Sequence, residues 1–486
     1  MHTSSSIQKL PLSQRLAFSI GHFLNDLTQS MWLSYLIIYL SQVKEFNDIS
    51  AGLLLLIGQV SDALFNLFIG LGSDKTNGLC KMGKRKTWHL FGTLCVIGSF
   101  PFIFNNCTAC ENSDFMVQFF YYATFIVIFH FGWASVQINH LSLIPLLTAD
   151  KRERVQLNGM RYAFHVISNL MTFGVFWLLF NLHDENTSSS SLNPKDSDKF
   201  RNLVLILVAI GSVFCFIFHI IVKEKDTCNQ DNVEENRVPE EHSNTTTEGI
   251  PILMTWKCWL KEIQFYQIGV VYMCARIFVN VTQIYLPLFI TETLHMEKDN
   301  VAVIPLVVYI SGFFMSLLMK PINTKIGKKA IYFVGIIFGV AGCTWIHFLE
   351  SSTSTQAYGV AILVGIGGST MLVTAFAMNA DLIGGNTESS GFVYGSISFT
   401  EKLSSGVVVV VIQHMHPCKT CAGYYRTILT FVPASATVVA SLCLLTLLST
   451  KLCNRSLQAS KDVNKHVDDI AVKMDENNAQ VQITKF

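Results

Sequence analysis

The chain has 486 residues, of which 50% are apolar and only 14% are charged, and its mean hydropathy is +0.40. This composition excludes an ordinary soluble protein and predicts a membrane protein. The formal net charge of +1 gives no indication of a nucleic acid partner, and none is expected.

Twelve hydrophobic segments run along the chain, each close to the roughly 20 residues that a helix needs to cross a membrane. They cover residues 16–40, 51–72, 88–104, 115–136, 158–182 and 203–222, and then 263–291, 301–319, 330–348, 358–380, 392–412 and 425–448. The polar start lacks the pattern of a cleaved signal peptide, so the first segment is expected to remain. The expected fold is an all-α membrane protein with two six-helix halves.

Polar stretches separate and flank the two hydrophobic blocks. We expect a cytosolic N-terminus at residues 1–14, a six-helix bundle at 15–222, a disordered cytosolic linker at 223–258, a second six-helix bundle at 259–450 and a cytosolic tail at 451–486. Basic residues are concentrated in alternate loops, around residues 81–86, 151–154 and 325–329. The positive-inside rule therefore places both termini in the cytosol.

The two halves show matching sequence features. Gly83-Lys84-Arg85-Lys86 follows the second segment, and Gly327-Lys328-Lys329 follows the eighth. Ala149-Asp150 ends the fourth segment, and Ala380-Asp381 ends the tenth. Such an internal repeat favours a transporter over a receptor or channel, with a solute site near the midplane between the halves.

Two cysteine pairs fall in loops on the predicted non-cytosolic side, Cys107 with Cys110 and Cys418 with Cys421. Disulfides within or between these loops are the preferred interpretation, and free thiols or a four-thiolate zinc site are the alternatives. Asn106 and Asn186 are glycosylation acceptors on the same side.

Charged side chains inside the segments are few, and each costs about 2.5–3.5 kcal/mol at bilayer depth. They are Asp26, Asp62, Arg161, Arg276, Glu401 and Lys402. We predict that Asp26 pairs with a substrate ammonium, a proton or a structural cation. Asp62, with Asn66 one turn later, suits a proton or small cation, or a buried hydrogen-bond network.

Counter-charges for these acids are expected from the second half. Lys402 and Arg276 are the expected partners of Asp26 and Asp62, and Glu401 either neutralises Lys402 or lies on the opposite face. Arg161 is either functional or an interfacial anchor. The polar residues Asn25, Gln137 and Gln283 suit a zwitterion or helix contacts, and His22, His140 and His165 are proton carriers or core residues.

Several motifs resemble a known family. Gly70 and Asp74, with Lys84 and Arg85, resemble the gating motif after the second helix of the major facilitator superfamily, in which Gly70 permits close helix approach. Residues 142–145 and 150–161 resemble its glycoside-pentoside-hexuronide:cation symporter branch. That resemblance implies a substrate-binding acid at Asp26, a cation-site acid at Asp62, and cavity positions at Arg161 and Lys402. Asn66 and Gln137 replace acids of that branch, which weighs against sodium coordination and sugar recognition.

Further blocks resemble a subfamily of lysosomal and melanosomal cysteine transporters, at residues 21–26, 53–60, 131–135, 140–145, 319–323, 380–384 and 392–396. The resemblance implies a multi-pass carrier, without cofactor or metal, that imports cysteine into these organelles and affects pigmentation. It is expected to act as a monomer among membrane lipids. A sodium- or proton-coupled symporter of a sugar or lysolipid, and a non-transporting scaffold, are the alternatives. No enzyme constellation is found.

Overall fold

The computed structural model describes residues 10–75, 82–107, 110, 113–148, 151–181, 192–224, 256–383, 390–416 and 423–448. All regular secondary structure in these ranges is helical. The first half contains α1 (Leu12–Ile20), α2 (Phe23–Ile38), α3 (Asp48–Lys75), α4 (Lys84–Ile103), α5 (Phe115–Leu147), α6 (Lys151–Asn181) and α7 (Ser197–Ile221). The second contains α8 (Trp256–Trp259), α9 (Ile263–Leu288), α10 (Asn300–Ile326), α11 (Lys328–Phe348), α12 (Ala357–Ile383), α13 (Ser390–His414) and α14 (Tyr424–Leu448).

Ten described segments are long and apolar enough to cross a membrane. The two other predicted segments fall on α1–α2, which is interrupted at Gly21 and His22, and on α4, whose first turn carries Lys84, Arg85 and Lys86. The predicted all-α membrane fold is confirmed. The predicted domain boundaries stay predictions, since most of the 223–258 linker and the tail lie outside the described residues.

The predicted internal repeat extends to backbone details that the sequence does not reveal. Both α2 and α9 end in a π-helical turn, at Tyr39–Val43 and Phe289–Thr293. Each turn is followed by a residue with positive φ, 55° at Glu45 and 52° at His295. The matched glycines before α4 and α11 also have positive φ, 79° at Gly83 and 89° at Gly327, which only glycine adopts without strain. The two halves therefore share local backbone geometry.

Small residues allow close contact between neighbouring helices within each half. A side-chain carbon added at Gly92 of α4 would lie 2.7 Å from the carbonyl oxygen of Gly132 on α5, and the reverse substitution would meet the same obstacle. In the second half, Gly367 of α12 lies against the backbone of Gly339 on α11. Close backbone approach is a usual way for helices to associate in a membrane.

The two halves face each other mainly through three helix pairs, α3 with α13, α6 with α10, and α2 with α9. These six helices form the interface between the halves, where the sequence predicts the solute site. Among the predicted non-cytosolic features, Cys107 and Cys110 form a disulfide. The side-chain oxygen of Asn106 accepts hydrogen bonds from Lys44 and Ser197, at 2.8 and 2.7 Å. Cys418, Cys421 and Asn186 lie outside the described residues.

Candidate functional site

A cavity with about 400 Å³ of empty space, part of it open to solvent, lies between the two halves. Helices α2, α3 and α5 line it on one side, and α9 and α13 line it on the other. Its lining consists of Gln29, Trp32, Leu33, Gln59, Asp62, Phe129, His130, Trp133, Arg276, Asn280, Glu401 and Lys402. Two acids, two bases and several aromatic rings therefore surround one space, which is the usual combination in a small-molecule site.

The first charged pair in the cavity joins the two halves. Lys402 of α13 donates a hydrogen bond to Oδ2 of Asp62 on α3, and the side chains are only 12% and 2% exposed. Asn66 donates to the other oxygen, Oδ1 of Asp62, at 2.8 Å. The ammonium of Lys402 also lies 4.6 Å from the centre of the Trp133 ring. The expected partnership of Lys402 with Asp62 is thus present.

The second charged pair lies entirely within the second half. Nε of Arg276 on α9 lies 3.2 Å from Oε1 of Glu401 on α13. The Tyr272 hydroxyl accepts a hydrogen bond from Arg276 at 2.9 Å and donates one to Glu401 at 3.0 Å. Glu401 therefore neutralises Arg276 rather than Lys402, and Arg276 does not pair with an acid of the first half. Both differences arise because neighbouring residues 401 and 402 point to different helices.

Asp26 has histidine partners instead of the expected lysine or arginine. Its Oδ1 oxygen lies 2.9 Å from Nδ1 of His22 and 3.0 Å from Nδ1 of His165. The carboxylate is buried in the first half and does not line the cavity. The adjacent Asn25 donates to the backbone carbonyl of Trp133 at 2.9 Å.

The other predicted polar residues also lie outside the cavity lining. Gln283 of α9 donates to the Ser34 hydroxyl of α2 at 3.1 Å, so it contributes to contact between the halves. Oε1 of Gln137 and Nε of Arg161 are buried and have no hydrogen-bond partner in the part of the chain that the structure describes. Of the predicted site, the structure brings Asp62, Arg276 and Lys402 together.

Sequence reasoning missed the uncharged part of the lining. His130 is 4% exposed and lies edge-on to Trp32 with ring centres 4.6 Å apart, and neither of its ring nitrogens has a hydrogen-bond partner among the described residues. It lies on α5 one turn before Trp133 and two turns before Gln137. This spacing in the sequence could have indicated that His130 shares a helix face with Trp133 and Gln137, because residues three and four apart lie on one face.

Three polar contacts join the halves at the predicted luminal face. Lys298 contacts Asp196 at 3.0 Å, His416 contacts Asp48 at 2.7 Å, and Gln42 donates to Glu292 at 2.8 Å. The Lys298 and Asp196 side chains are 6% and 5% exposed. The structure therefore has this end of the cavity closed.

We expect the Lys298–Asp196 contact to stabilise the closed luminal end. Lys298→Met should lower the free energy of unfolding by about 1.5–3 kcal/mol, since it removes a charged hydrogen bond from the buried Asp196 carboxylate, which keeps Lys199 at 3.5 Å. Asp196→Asn in the same chain should recover much of that loss, as measured by thermal unfolding in a double-mutant cycle. The exposed pair Arg201–Asp198, at 2.8 Å, is the matched control and should contribute less than about 1 kcal/mol. Additive single losses at Lys298 and Asp196 would contradict the coupling.

The residues that resemble the gating motif of the superfamily, Gly70, Asp74, Lys84 and Arg85, lie at the opposite face. A side-chain carbon at Gly70 would meet no atom of the described residues within 4 Å, so the expected close helix approach at Gly70 is not seen among them. Arg85 donates to the Ser73 hydroxyl at 2.6 Å. The Glu224 carboxylate accepts from the backbone N–H groups of Arg85 and Lys86, which places an anion at the N-terminus of α4. The Asp74 side chain lies outside the described part of the chain.

Comparison with known proteins identifies the family. The family described as "MFS/sugar transport protein" matches residues 17–452. The chain belongs to the major facilitator superfamily. This transporter is 42% identical over 452 residues to the Major facilitator superfamily domain-containing protein 12 of Mus musculus, covering 90% of this chain and 94% of that protein. It is 20% identical to the Sodium-dependent lysophosphatidylcholine symporter 1 of the same species, covering 77% and 71%.

The fold of this transporter matches solved members of the superfamily. The inward-open xylose transporter XylE from E. coli superposes with a TM-score of 0.60 at 12% sequence identity, covering 90% of this chain and 95% of that one. At this identity the likeness establishes the fold alone. The cavity between the halves thus lies where a transporter of this fold handles its solute.

Proposed function

We propose that this transporter imports cysteine from the cytosol into lysosomes and melanosomes by alternating access, and thereby affects pigmentation. The observation that carries the proposal is the pairing of two acids with two bases in one cavity between the halves. A zwitterionic amino acid presents both charges at once. The choice of cysteine, and of these organelles, is supported by the sequence blocks that resemble lysosomal and melanosomal cysteine transporters.

The two cavity bases suit the substrate carboxylate, and the two acids suit its ammonium. Arg276 presents a planar guanidinium that can donate two parallel hydrogen bonds to a carboxylate. Glu401 is within reach of the same space and can accept from an ammonium group. On sequence grounds Asp26 is a candidate for the ammonium, but Glu401 and Asp62 are better placed because they line the cavity.

Because Asp62 and Lys402 pair with each other, substrate binding at Lys402 changes a contact between the two halves. Asp62 and Lys402 belong to different halves and bond each other. A carboxylate that takes the place of Asp62 at Lys402 removes a contact between α3 and α13. Solute binding therefore changes the relative stability of the states in which the halves are held together or apart, as alternating access requires.

A sodium-coupled symporter of a sugar or lysolipid is the second candidate, and one relative carries sodium dependence in its name. The geometry at Asp62 weighs against it. Both carboxylate oxygens already accept hydrogen bonds, one from the Lys402 ammonium and one from the Asn66 amide nitrogen. Sodium needs several oxygen ligands, so Lys402 would have to leave and Asn66 would have to turn. Cysteine uptake that persists after sodium is replaced by choline would exclude this candidate.

The test uses lysosomes purified from cells that lack endogenous cysteine import and express this chain. We expect labelled cysteine to enter lysosomes that contain the wild-type chain and not lysosomes that contain Lys402→Met. Arg201→Gln, an exposed residue on α7, is the matched control and should transport normally. Equal uptake with and without the chain would reject cysteine as the substrate, and inhibition by an added sugar or lysolipid would favour the second candidate.

A further inference from the structure

Six titratable side chains form a row inside the first half of the protein. In spatial order they are His165, Asp26, His22, His140, His89 and His219. The ring centres of His22 and His140 are 5.6 Å apart, and those of His140 and His89 are 5.9 Å apart. Nδ1 of His89 lies 3.1 Å from Nε2 of His219. We call this row the histidine chain.

The histidine chain connects the membrane interior with the predicted cytosolic face. Asp26 lies at the inner end, where His165 is 35% exposed at the side chain. His219 lies in the last turn of α7, and its backbone carbonyl accepts a hydrogen bond from Lys86 near the start of α4. Between these ends, His22, His89 and His140 are at most 2% exposed. The row therefore crosses a region that bulk water does not reach directly.

Hydrogen bonds define which nitrogens of the buried rings are free to accept a proton. Nδ1 of His22 donates to the Asp26 carboxylate, so Nε2 of the neutral ring carries a lone pair. Nε2 of His140 donates to the carbonyl of Phe18 at 2.8 Å, so its Nδ1 carries a lone pair. Both of these lone-pair nitrogens lack a partner among the described residues. A purely structural role explains this poorly, because an unpaired buried polar atom costs about 1–3 kcal/mol.

Other charged and titratable groups surround the row. Arg161 and His165 on α6 interact electrostatically with His22 and Asp26. Arg161 also interacts electrostatically with His140. Lys86 on α4 and the Glu224 carboxylate after α7 face the His219 end. The Cys215 thiol on α7 contacts the carbonyl of Gly21 beside His22. The row is therefore flanked by the partly buried Arg161 at one end and by Lys86 and Glu224 at the other.

We propose that the histidine chain is a proton pathway between the predicted cytosolic face and Asp26. Its coupling to solute movement rests on the proposed transport function, whereas proton transfer along the row does not. A general acid or base can pass a proton to a neighbour within hydrogen-bond reach or through one water. The spacing of the four buried or half-buried rings fits those two modes.

The proton moves along the row in four steps. A proton that enters at His219 passes to Nδ1 of His89, and the His89 ring then releases a proton towards Nδ1 of His140. His140 passes that proton from Nδ1 to Nε2 of His22 through a bridging water. As His22 gains a proton at Nε2, it shares the proton on Nδ1 with Asp26. His219, His89 and His140 are neutral again, and the hydrogen-bonded pair of His22 and Asp26 holds one more proton.

A solute-free experiment tests the pathway directly. The Trp133 ring lies 6.4 Å from His22, so a proton on His22 should quench Trp133 fluorescence. After a pH jump on the purified protein, we expect a fluorescence change that is lost in Trp133→Phe and in His22→Gln. In His140→Gln, which can keep the bond to Phe18, the change should keep its amplitude and slow about 100-fold. His89→Gln should slow it likewise, and the exposed His347→Gln on α11 should not.

Proteoliposomes then test the coupling with labelled cysteine. We expect His140→Gln to keep cysteine counterflow, which needs no net proton movement, and to lose uptake driven by a pH gradient. Equal loss of both would assign His140 a structural role and overturn the coupling. Absence of counterflow in the wild type would reject cysteine as substrate but leave the fluorescence result to judge the pathway. An unchanged rate in His140→Gln, or no signal that depends on His22, would overturn the pathway itself.

Discussion

Lys402→Met should abolish solute transport and also lower the stability of the protein. The substitution leaves the Asp62 carboxylate, which is 2% exposed, without its cationic partner between α3 and α13. Breaking a buried ion pair from one side costs about 3–5 kcal/mol. It also removes the ammonium that we assign to the substrate carboxylate. Transport is measured with labelled cysteine in proteoliposomes, and stability by thermal unfolding of the purified protein.

The double variant Asp62→Asn with Lys402→Met separates these two effects. It removes both charges together, so its melting temperature should return close to that of the wild type, because no buried charge stays unpaired. Transport should still be absent, since the exchange of partners at Lys402 can no longer occur. Recovery of transport in the double variant would show that the pair is only structural. A melting temperature as low as that of Lys402→Met would contradict the pairing itself.

Much of the fold follows from patterns that act locally. Hydrophobic length predicts the helices, and the matched Gly-Lys sequences at Gly83 and Gly327 predict the repeat, which the positive φ angles of both glycines support. The π-helical turns after α2 and α9 could not be predicted in the same way. The residues of these turns, such as those of Tyr39–Val43, carry no glycine or proline to mark them. Their geometry depends on packing across the bundle.

Part of the candidate site could be predicted from the sequence and part could not. A charge inside the membrane is costly, so each charged residue there is a candidate for the site. Three of them, Asp62, Arg276 and Lys402, meet in one cavity. Spacing in the sequence gives the depth and face of a side chain but not its partner on another helix. That is why the sequence offers only two alternatives for Glu401, neutralising Lys402 or lying on the opposite face, and does not indicate its ion pair with Arg276. Uncharged lining residues such as His130 carry no comparable cost and so give no comparable signal.

The family resemblance and the structure indicate different roles for Asp26. The family resemblance implies a substrate-binding acid there. The structure places its carboxylate between His22 and His165, away from the cavity lining. A carboxylate with two histidine partners is suited to passing protons, because the Nδ1 atoms of both rings lie within hydrogen-bond distance of its Oδ1 oxygen. The same residue can therefore serve coupling instead of solute binding.

Arg276→Lys should weaken cysteine binding although it conserves charge. The Arg276 guanidinium lies 5.4 Å from the Tyr272 ring centre and 5.3 Å from that of Phe376, and it contacts Glu401 and the Tyr272 hydroxyl together. A lysine ammonium cannot reproduce the planar, two-pronged geometry. Loss of one hydrogen bond between charged groups is worth about 1.5–3 kcal/mol, which corresponds to a rise of roughly 10–100-fold in the half-saturating cysteine concentration.

Competition with 2-aminoethanethiol, which is cysteine without its carboxylate, identifies the group that Arg276 binds. If the guanidinium holds the carboxylate, Arg276→Lys should weaken inhibition by unlabelled cysteine and leave inhibition by 2-aminoethanethiol unchanged. Tyr272→Phe removes the hydroxyl between Arg276 and Glu401 and keeps the guanidinium, so it should preserve the preference for the carboxylate. A parallel loss of inhibition by both compounds in Arg276→Lys would show that Arg276 shapes the cavity through Glu401 rather than by contact with the substrate.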